Sequence, residues 1–237
     1  MSTRPAVRRL LLKVSGETFG TPGTSLDLDR VDAFAEELQC AHEAGVEVAL
    51  VAGGGNILRG AALSGDSGDR VSCDYMGMLA TVINALALQG ALERRGVETV
   101  VMTPFALEMA AERFIRREAL HHLRERRVLL LAGGTGNPYF TTDTAAALRA
   151  AEIGADVLLK GTKVDGVYER DPKKDPSARR LSSLTYTDVL RDDLRVMDAA
   201  AVALCRDNGI PIIVFDIMGK GNLARVIDGE EIGTIVK

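Results

Sequence analysis

The chain of 237 residues is long enough to bury a substantial core, and its composition, 46% hydrophobic and 26% charged, excludes a disordered protein. Its formal net charge of −4 excludes a general nucleic-acid-binding protein, which needs a basic surface, but allows nucleotides at a local positive site. No run of consecutive apolar residues approaches the roughly 20 needed to span a bilayer, and the apolar run near the N-terminus is too short for a signal peptide. We therefore expect a cytoplasmic protein that needs neither a membrane nor a nucleic acid.

Short apolar runs alternate with amphipathic stretches along the chain. The predicted strands are residues 8–14, 47–52, 99–103, 127–131, 157–160, 211–215 and 232–236. The first predicted helix is begun by Asp29, and its apolar face comprises Val31, Phe34, Ala35, Leu38 and Ala41. The second runs from Asp74 to Arg95, and its apolar residues are Met78, Leu79, Val82, Leu86 and Leu92. Further helices are predicted at 111–126, 142–153, 187–190, 198–208 and after Asn222. This alternation predicts an α/β fold, a three-layer α/β/α sandwich with a mainly parallel central sheet. No linker divides the chain, which predicts a single domain over residues 1–237.

Glycine clusters directly follow three of the predicted strands, at Gly16, at residues 53–55 and at residues 133–136. The last belongs to residues 129–145 (LLLAGGTGNPYFTTDTA), which read as a buried strand, a tight loop and a helix start. Ligands of parallel α/β sheets bind at the carboxyl ends of the strands, so these loops are expected to converge on one edge. Such loops present backbone N–H groups to anions.

Neither a P-loop motif nor a dinucleotide-binding motif occurs in the chain. Several separate glycine loops on one edge instead indicate two phosphorylated ligands that meet head to head for phosphoryl transfer. That reaction needs cations and precise positioning. The candidate cations are Lys13, Arg59, Lys160 and Lys163. Lys13 also fits an exposed strand-end lysine, Arg59 a surface residue of a first helical turn, and the other two solvated charges beside a turn. Asp74, Asp143 and Asp198 also fit ordinary helix-start residues.

The remaining reactive residue types give weaker signals. The histidines, His42, His121 and His122, are interpreted as surface residues, and the three cysteines as unclustered residues of a reducing compartment. These patterns disfavour a zinc site and a Ser/His/Asp hydrolase. The arginines between residues 113 and 127 are interpreted as a solvated helix face or a subunit contact.

Three glycine-containing motifs together resemble the amino acid kinase superfamily. They are Lys13-Val14-Ser15-Gly16-Glu17, Gly53-Gly54-Gly55-Asn56 followed by Arg59-Gly60, and Gly134-Thr135-Gly136-Asn137-Pro138. Within it, residues 74–81 (DYMGMLAT), 135–143, 160–166 and 196–198 resemble the family of bacterial uridylate (UMP) kinases. The resemblance runs from about residue 8 to the C-terminus.

The resemblance implies ATP-dependent conversion of UMP to UDP in pyrimidine nucleotide biosynthesis, with Mg²⁺ accompanying ATP. Residues 1–155 would form the UMP side and residues 156–237 the ATP side of an amino acid kinase-like fold. The ATP site would comprise Lys13, Val14, Ser15, Gly16, Gly55, Arg59, Thr162, Tyr168 and Asp171. The UMP site would comprise Gly54, Asp74, Thr135, Gly136, Asn137, Pro138, Tyr139, Phe140, Thr141 and Thr142. The catalytic set would be Lys13, Arg59, Asp143, Lys160 and Asp198, with the aspartates organising the lysines and the magnesium; no dedicated metal-binding site is predicted.

The resemblance also implies a homohexamer that is inhibited by UTP and responds to GTP. The chain departs from the pattern of several members, because Gln89, Glu93 and Val100 stand where those members have basic residues, although Arg127 is retained. Two other functions are compatible with the motifs. One is a kinase of the same superfamily that acts on a carboxylate or carbamate, and the other is a non-catalytic nucleotide- or anion-binding protein.

Overall fold

Strands and helices alternate through the residues that the computed structural model describes, which are 7–58, 69–170, 175, 177–192, 194 and 196–237. The strands are β1 (Arg9–Val14), β2 (Glu47–Ala52), β3 (Thr99–Thr103), β4 (Glu112–Arg113), β5 (Val128–Leu131), β6 (Val157–Thr162), β7 (Val167–Tyr168), β8 (Arg180–Leu181), β9 (Ser183–Leu184), β10 (Ile212–Asp216) and β11 (Thr234–Val236). The helices are α1 (Leu28–Glu43), α2 (Arg70–Arg94), α3 (Arg116–Arg124), α4 (Thr142–Ile153), α5 (Tyr186–Arg191), α6 (Ala199–Asp207) and α7 (Asn222–Ile227).

A nine-stranded sheet forms the centre of the molecule, in the order β4-β3-β5-β2-β1-β6-β10-β11-β9. Its strand pairs are parallel except β10 with β11. A separate antiparallel pair joins β7 and β8. The predicted mainly parallel sheet is therefore confirmed.

Helices cover both faces of the sheet because successive side chains of a strand point to opposite faces. On β1, Leu10 and Leu12 pack on one face with α1, α2 and α7, whereas Leu11 packs on the other with α3, α4, α5 and α6. The predicted apolar face of α1 is buried in the first of these cores. Strands that are buried on both faces need apolar residues at every position, which explains the unbroken apolar runs in the sequence.

Two helices begin earlier than predicted. The carboxylate of Asp27, not Asp29, caps α1 by accepting from the backbone N–H of Asp29 at 3.1 Å. Asp69 caps α2 by accepting from Ser72 N–H at 3.0 Å, so Asp74 lies one turn inside the helix rather than at its start. In both places the sequence offers more than one aspartate near the helix start, and an aspartate is a good cap at any of them.

The predicted helix over residues 111–126 was wrong in its first part. Glu112 and Arg113 instead pair with Met102 and Thr103 as the edge strand β4. Because Glu112 and Arg113 pair with a neighbouring strand rather than with the next helical turn, helical periodicity cannot reveal this pairing. On α2, Leu79 is 48% exposed rather than part of the core.

Helix α2 is the one described helix that is long and apolar enough to cross a membrane by length and composition. One side of it, including Ala85, Leu88 and Leu92, is buried in the core, where it packs against α1 and β3. The core position explains the apolar residues on this side of α2, whereas Tyr75, Met76, Leu79 and Ile83 on the helix are exposed.

Candidate active site

A cluster of charged side chains lies at the carboxyl ends of β1 and β6. Lys13 and Lys160 are register partners on these neighbouring strands, so both side chains leave the sheet at the same level. Asp143, in the first turn of α4, lies between them, with Oδ1 2.7 Å from Nζ of Lys13 and Oδ2 3.0 Å from Nζ of Lys160. Nζ of Lys160 also donates to the backbone carbonyl of Val196. The structure thus brings together three residues that the sequence predicted for one site.

The charges of this cluster are interdependent. Burial on its own would raise the pKa of Asp143, but the charges of Lys13 and Lys160 outweigh it and lower that pKa. Burial lowers the pKa of Lys160, and Asp143 opposes this effect. The carboxylate therefore stays ionised and holds two ammonium groups that would otherwise repel each other. An arriving polyphosphate can bind the same two ammonium groups.

Asp198 connects this cluster to the start of α6, which packs on the same face of the sheet as α4. It is the N-cap of α6, where Oδ1 accepts from the backbone N–H of Ala201 at 2.8 Å. Its Oδ2 accepts from the hydroxyls of Thr141 and Thr144, the latter at 2.8 Å. Thr141 is itself the N-cap of α4. Asp198 thus fixes the start of α4, two residues before Asp143.

The loops after β1 and β2 lie directly against each other. A Cβ on Gly16 would lie 2.7 Å from the carbonyl oxygen of Gly53 and 2.8 Å from the nitrogen of Gly55, so this approach requires glycine. The fully buried amide of Asn84 donates to Gly53 O at 2.8 Å and exchanges hydrogen bonds with Asn56. The helix α2 therefore holds the triple-glycine loop in place.

Val14 and Ser15, which were predicted for the ATP site, lie at the end of β1 and in the turn that follows it, and the candidate cation Lys163 lies nearby. Ser15 Oγ accepts from Glu17 N–H at 3.3 Å, and Glu17 pairs with Nζ of Lys163 at 2.9 Å across the edge. Val14, directly before this turn, is fully buried and is a register partner of Gly161.

Two further predicted ATP-site residues lie on β6 and β7. The hydroxyl of Thr162 donates to Val164 O at 2.6 Å. The hydroxyl of Tyr168 donates to Asp165 at 2.7 Å, and this bond raises the pKa of Tyr168. Arg59 and Asp171, which were also predicted for this site, lie outside the described residues.

A cavity of about 340 Å³ lies beside the ion-pair cluster. It is lined by Gly54, Gly55, Leu58, Arg70, Cys73, Asp74, Gly77, Met78, Thr81, Gly134, Thr135, Phe140, Thr141 and Thr142. Of the ten residues predicted for the UMP site, six line this cavity: Gly54, Asp74, Thr135, Phe140, Thr141 and Thr142. We refer to it as the acceptor pocket. Its last lining residue, Thr142, directly precedes Asp143, which pairs with the two lysines.

The other four predicted residues, Gly136 to Tyr139, form the tip of the loop over this pocket. The loop is stabilised internally, because the Thr135 hydroxyl donates to Asn137 O at 3.1 Å and accepts from Asn137 N–H at 3.1 Å. Tyr139 is 67% exposed and has a left-handed backbone with φ of 72°. Its N–H donates to Oδ2 of Asp74 at 2.7 Å, which ties the loop to α2.

Three residues of the site were missed by sequence reasoning. Thr81 accepts from Gly133 N–H at 2.7 Å and so fixes the start of the loop over the pocket, residues 133–141, which we call the acceptor loop. Asn84 holds the triple-glycine loop, and Arg70 pairs with Asp74. A polar Thr81 and Asn84 on the core side of an apolar helix were a signal, because buried polar groups need specific partners.

The surface interpretation of His122 was wrong. The side chain is buried, and its polar atoms are satisfied: Nε2 lies 2.9 Å from Glu112 and Nδ1 lies 3.0 Å from Arg127. Arg127 also pairs with Glu98 at 2.9 Å. This network joins β4 to α3, and none of its residues is among those that line the acceptor pocket.

The sequence matches that of known proteins over nearly its whole length. The amino acid kinase family matches residues 8–216. The chain belongs to the amino acid kinase family. Among curated family members, the uridylate kinases of Agrobacterium fabrum and Brucella anthropi are each 54% identical over 237 residues, which is 100% of this chain and 98% and 99% of theirs. The resemblance inferred from the motifs is therefore confirmed.

Solved structures of the amino acid kinase family superpose closely on this fold. The UMP kinase of Bacillus anthracis gives a TM-score of 0.95 at 38% identity, covering 99% of this chain and 97% of that one. The UMP kinase of Ureaplasma parvum gives 0.91 at 35% identity, covering 98% and 99%. The uridylate kinase of Archaeoglobus fulgidus gives 0.76 at 27% identity, covering 96% and 99%.

Proposed function

We propose that the protein transfers the γ-phosphoryl group of ATP to the phosphate of UMP, giving UDP and ADP. Relatives that are 54% identical over the full chain are named uridylate kinases, and the structural neighbours are named UMP or uridylate kinases. The structural observation that carries the proposal is the Lys13–Asp143–Lys160 cluster, which lies where the acceptor pocket adjoins the glycine loops.

The cluster suits phosphoryl transfer, in which charge spreads over the transferring group and catalysis depends on positioning and electrostatics. Lys13 and Lys160 would neutralise this charge, and Asp143 would keep both ammonium groups in place before the nucleotides bind. Asp198 would set the position of Asp143 through the start of α4. The acceptor is a phosphate oxygen that is largely deprotonated at neutral pH, because its second pKa is about 6, so no general base is needed.

The acceptor pocket offers suitable groups for a pyrimidine nucleotide. Asp74 can accept from the ribose hydroxyls, while hydroxyls and main-chain groups of Thr135, Thr141 and Thr142 can bind the base and phosphate. On the other side of the cluster, Gly16, Gly55 and Ser15 would bind the phosphates of ATP. Thr162 and Tyr168 would hold its nucleoside. Arg59 and Asp171 remain predicted members of the ATP site.

Magnesium would enter with ATP. Mg²⁺ in kinases is bound chiefly by phosphate oxygens and water, with one or two carboxylates at most. In the described part of the chain, no group of three or more His, Cys, Asp or Glu side chains is placed to hold a metal ion. Asp143 and Asp198 are engaged by lysines and by threonine hydroxyls, which fits a role beside a substrate-borne ion. When bound, the ion would neutralise phosphate charge.

The assembly and regulation of the protein are also proposed. We infer a cytoplasmic homohexamer, as the resemblance to the UMP kinases implies. Helix α2 exposes the large apolar side chains Tyr75, Met76, Leu79 and Ile83, which suit a contact with another copy. UTP would inhibit by occupying the acceptor pocket.

GTP is expected to have a weak effect at most. Gln89 and Val100 line an open groove of about 580 Å³ whose described lining contains the single cation Arg113 and the anions Glu108, Glu112 and Glu118. A nucleoside triphosphate carries several negative charges and would be repelled there. Activity measured with and without GTP is expected to differ by less than about twofold.

The proposed function is tested by ADP release from MgATP with a panel of acceptors: UMP, CMP, AMP, GMP, aspartate, glutamate and acetylglutamate. We expect turnover with UMP far above that with the others. Turnover with an amino acid and none with UMP would instead show a carboxylate kinase. No turnover with any acceptor would favour a binding protein.

A further inference from the structure

Arg70 begins α2 and lines the acceptor pocket beside Asp74. Among the described lining residues, Arg70 and Asp74 are the only charged ones. Within this described lining the two charges pair with each other, so removal of either one leaves the other without its partner there.

Arg70, Asp74 and Tyr139 form one connected group. Nε of Arg70 lies 2.9 Å from each carboxylate oxygen of Asp74, and Oδ2 of Asp74 accepts from Tyr139 N–H at 2.7 Å. The guanidinium also lies over the ring of Tyr139, 5.6 Å from its centre. The first turns of α2 thus hold the acceptor loop at a residue whose backbone is in the left-handed region.

The charge of Arg70 matters because of what the pocket is proposed to bind. The side chain of Asp74 is 12% exposed, so water screens its charge poorly, and a nucleoside monophosphate brings a charge of about −1.5 to −2. Without a cation beside it, Asp74 would repel the phosphate. It would also be free to turn away from Tyr139.

On the basis of the proposed function, we propose that Arg70 is a positioning residue for the phosphoryl acceptor. Arg70 orients and neutralises the Asp74 carboxylate, so that Asp74 can hold the acceptor loop and the nucleotide without repelling the phosphate. Its contribution is specific to the acceptor and acts through Asp74.

The test is steady-state kinetics of Arg70→Gln and Arg70→Lys, with Arg94→Gln as the matched control. Arg94 lies at the other end of the same helix, and its side chain is 66% exposed. Arg70→Gln is expected to raise KM for UMP about tenfold, which corresponds to about 1.4 kcal/mol. Its kcat and its KM for ATP should stay within about threefold of the wild type. Arg70→Lys keeps the charge and should recover most of the affinity, and Arg94→Gln should change nothing.

A double-mutant cycle with Asp74→Asn tests whether Arg70 acts through Asp74. In the Asp74→Asn background, Arg70→Gln should raise KM for UMP by less than about threefold. The inference is overturned by an unchanged KM for UMP in Arg70→Gln, by an equal rise in KM for ATP, or by the full tenfold effect in the Asp74→Asn background. Absence of UMP turnover in the wild type would refute the proposed function and this inference together, whereas the other outcomes leave the proposed function intact.

Discussion

Replacement of Asp143 by asparagine tests the central cluster most selectively. The change keeps the size of the side chain and some of its hydrogen-bonding capacity but removes the negative charge between Lys13 and Lys160. These three side chains are 12% to 16% exposed, so solvent screening of the lost interaction is limited. The two ammonium groups then repel each other across a neutral amide.

Asp143→Asn is expected to lower the free energy of unfolding modestly and kcat strongly. Hydrogen bonds to charged groups contribute about 1.5 to 3 kcal/mol each, so the free energy of unfolding should fall by about that amount. This loss is limited because Lys160, whose pKa is already lowered by burial, can release its proton. A domain with a stability of about 5 to 15 kcal/mol therefore stays folded. Loss of one preorganised electrostatic group commonly lowers kcat by about 10² to 10³, and we expect that range here.

The assay combines urea unfolding with kcat per folded molecule for the wild type, Asp143→Asn and Asp207→Asn. Asp207 is a suitable control because it lies at the exposed end of α6 with a side chain that is 62% exposed. The control should match the wild type in both measurements. If folded Asp143→Asn turns over at the wild-type rate, Asp143 only stabilises the fold and its role as organiser of the lysines is refuted.

Three further predictions follow from the same contacts. Because the folded-state pKa of Asp143 is lowered, its contribution to stability is present above the unfolded pKa near 4 and is lost as pH falls through the folded pKa. The urea midpoint of the wild type should thus fall more steeply below about pH 4 than that of Asp143→Asn, and parallel curves would contradict this. Gly54→Ala would place a Cβ 2.8 Å from Gly77 O. This contact should lower the free energy of unfolding, measured with urea, by about 1 to 3 kcal/mol and should raise KM for UMP. Wild-type values of both would show that the loop can shift freely. Asn84→Ala leaves Gly53 O without its buried donor and should cost about 1 to 3 kcal/mol with a raised KM for ATP. Gln39→Ala, which removes a solvent-exposed hydrogen bond to Glu43 on α1, should be neutral.

Local patterns predicted the elements that depend on local chemistry. The strands at Glu47–Ala52 and Thr99–Thr103 and the helix Thr142–Ile153 were predicted to the residue, because apolar runs and glycine or proline at their ends define them. The helix starts at Asp27 and Asp69 were missed, because several aspartates can serve as a cap and only the fold selects one. The strand β4 forms by pairing with β3 at the edge of the sheet, and no local sequence pattern predicts this pairing.

The site residues also divide into those that the sequence predicted and those whose roles depend on the tertiary structure. Strand ends and glycine loops predicted that Lys13 and Lys160 share one edge of the sheet, and the resemblance to the UMP kinases added Asp143. In the structure, Asp143 lies 2.7 Å from Lys13 and 3.0 Å from Lys160. The residues that support the site from α2, which are Arg70, Thr81 and Asn84, act through contacts with distant loops. Their roles therefore depended on the tertiary structure. The predicted division into UMP and ATP sides at residues 155 and 156 stays a prediction.

The central claim is that the chain phosphorylates a nucleotide phosphate, and phosphorus NMR of the reaction tests it most directly. With MgATP and UMP, the account predicts that UDP appears at the rate at which ADP appears, in a ratio of one to one, and that Asp143→Asn slows both equally. ADP formed without UDP, or an acyl phosphate formed from an amino acid in the same assay, would contradict it.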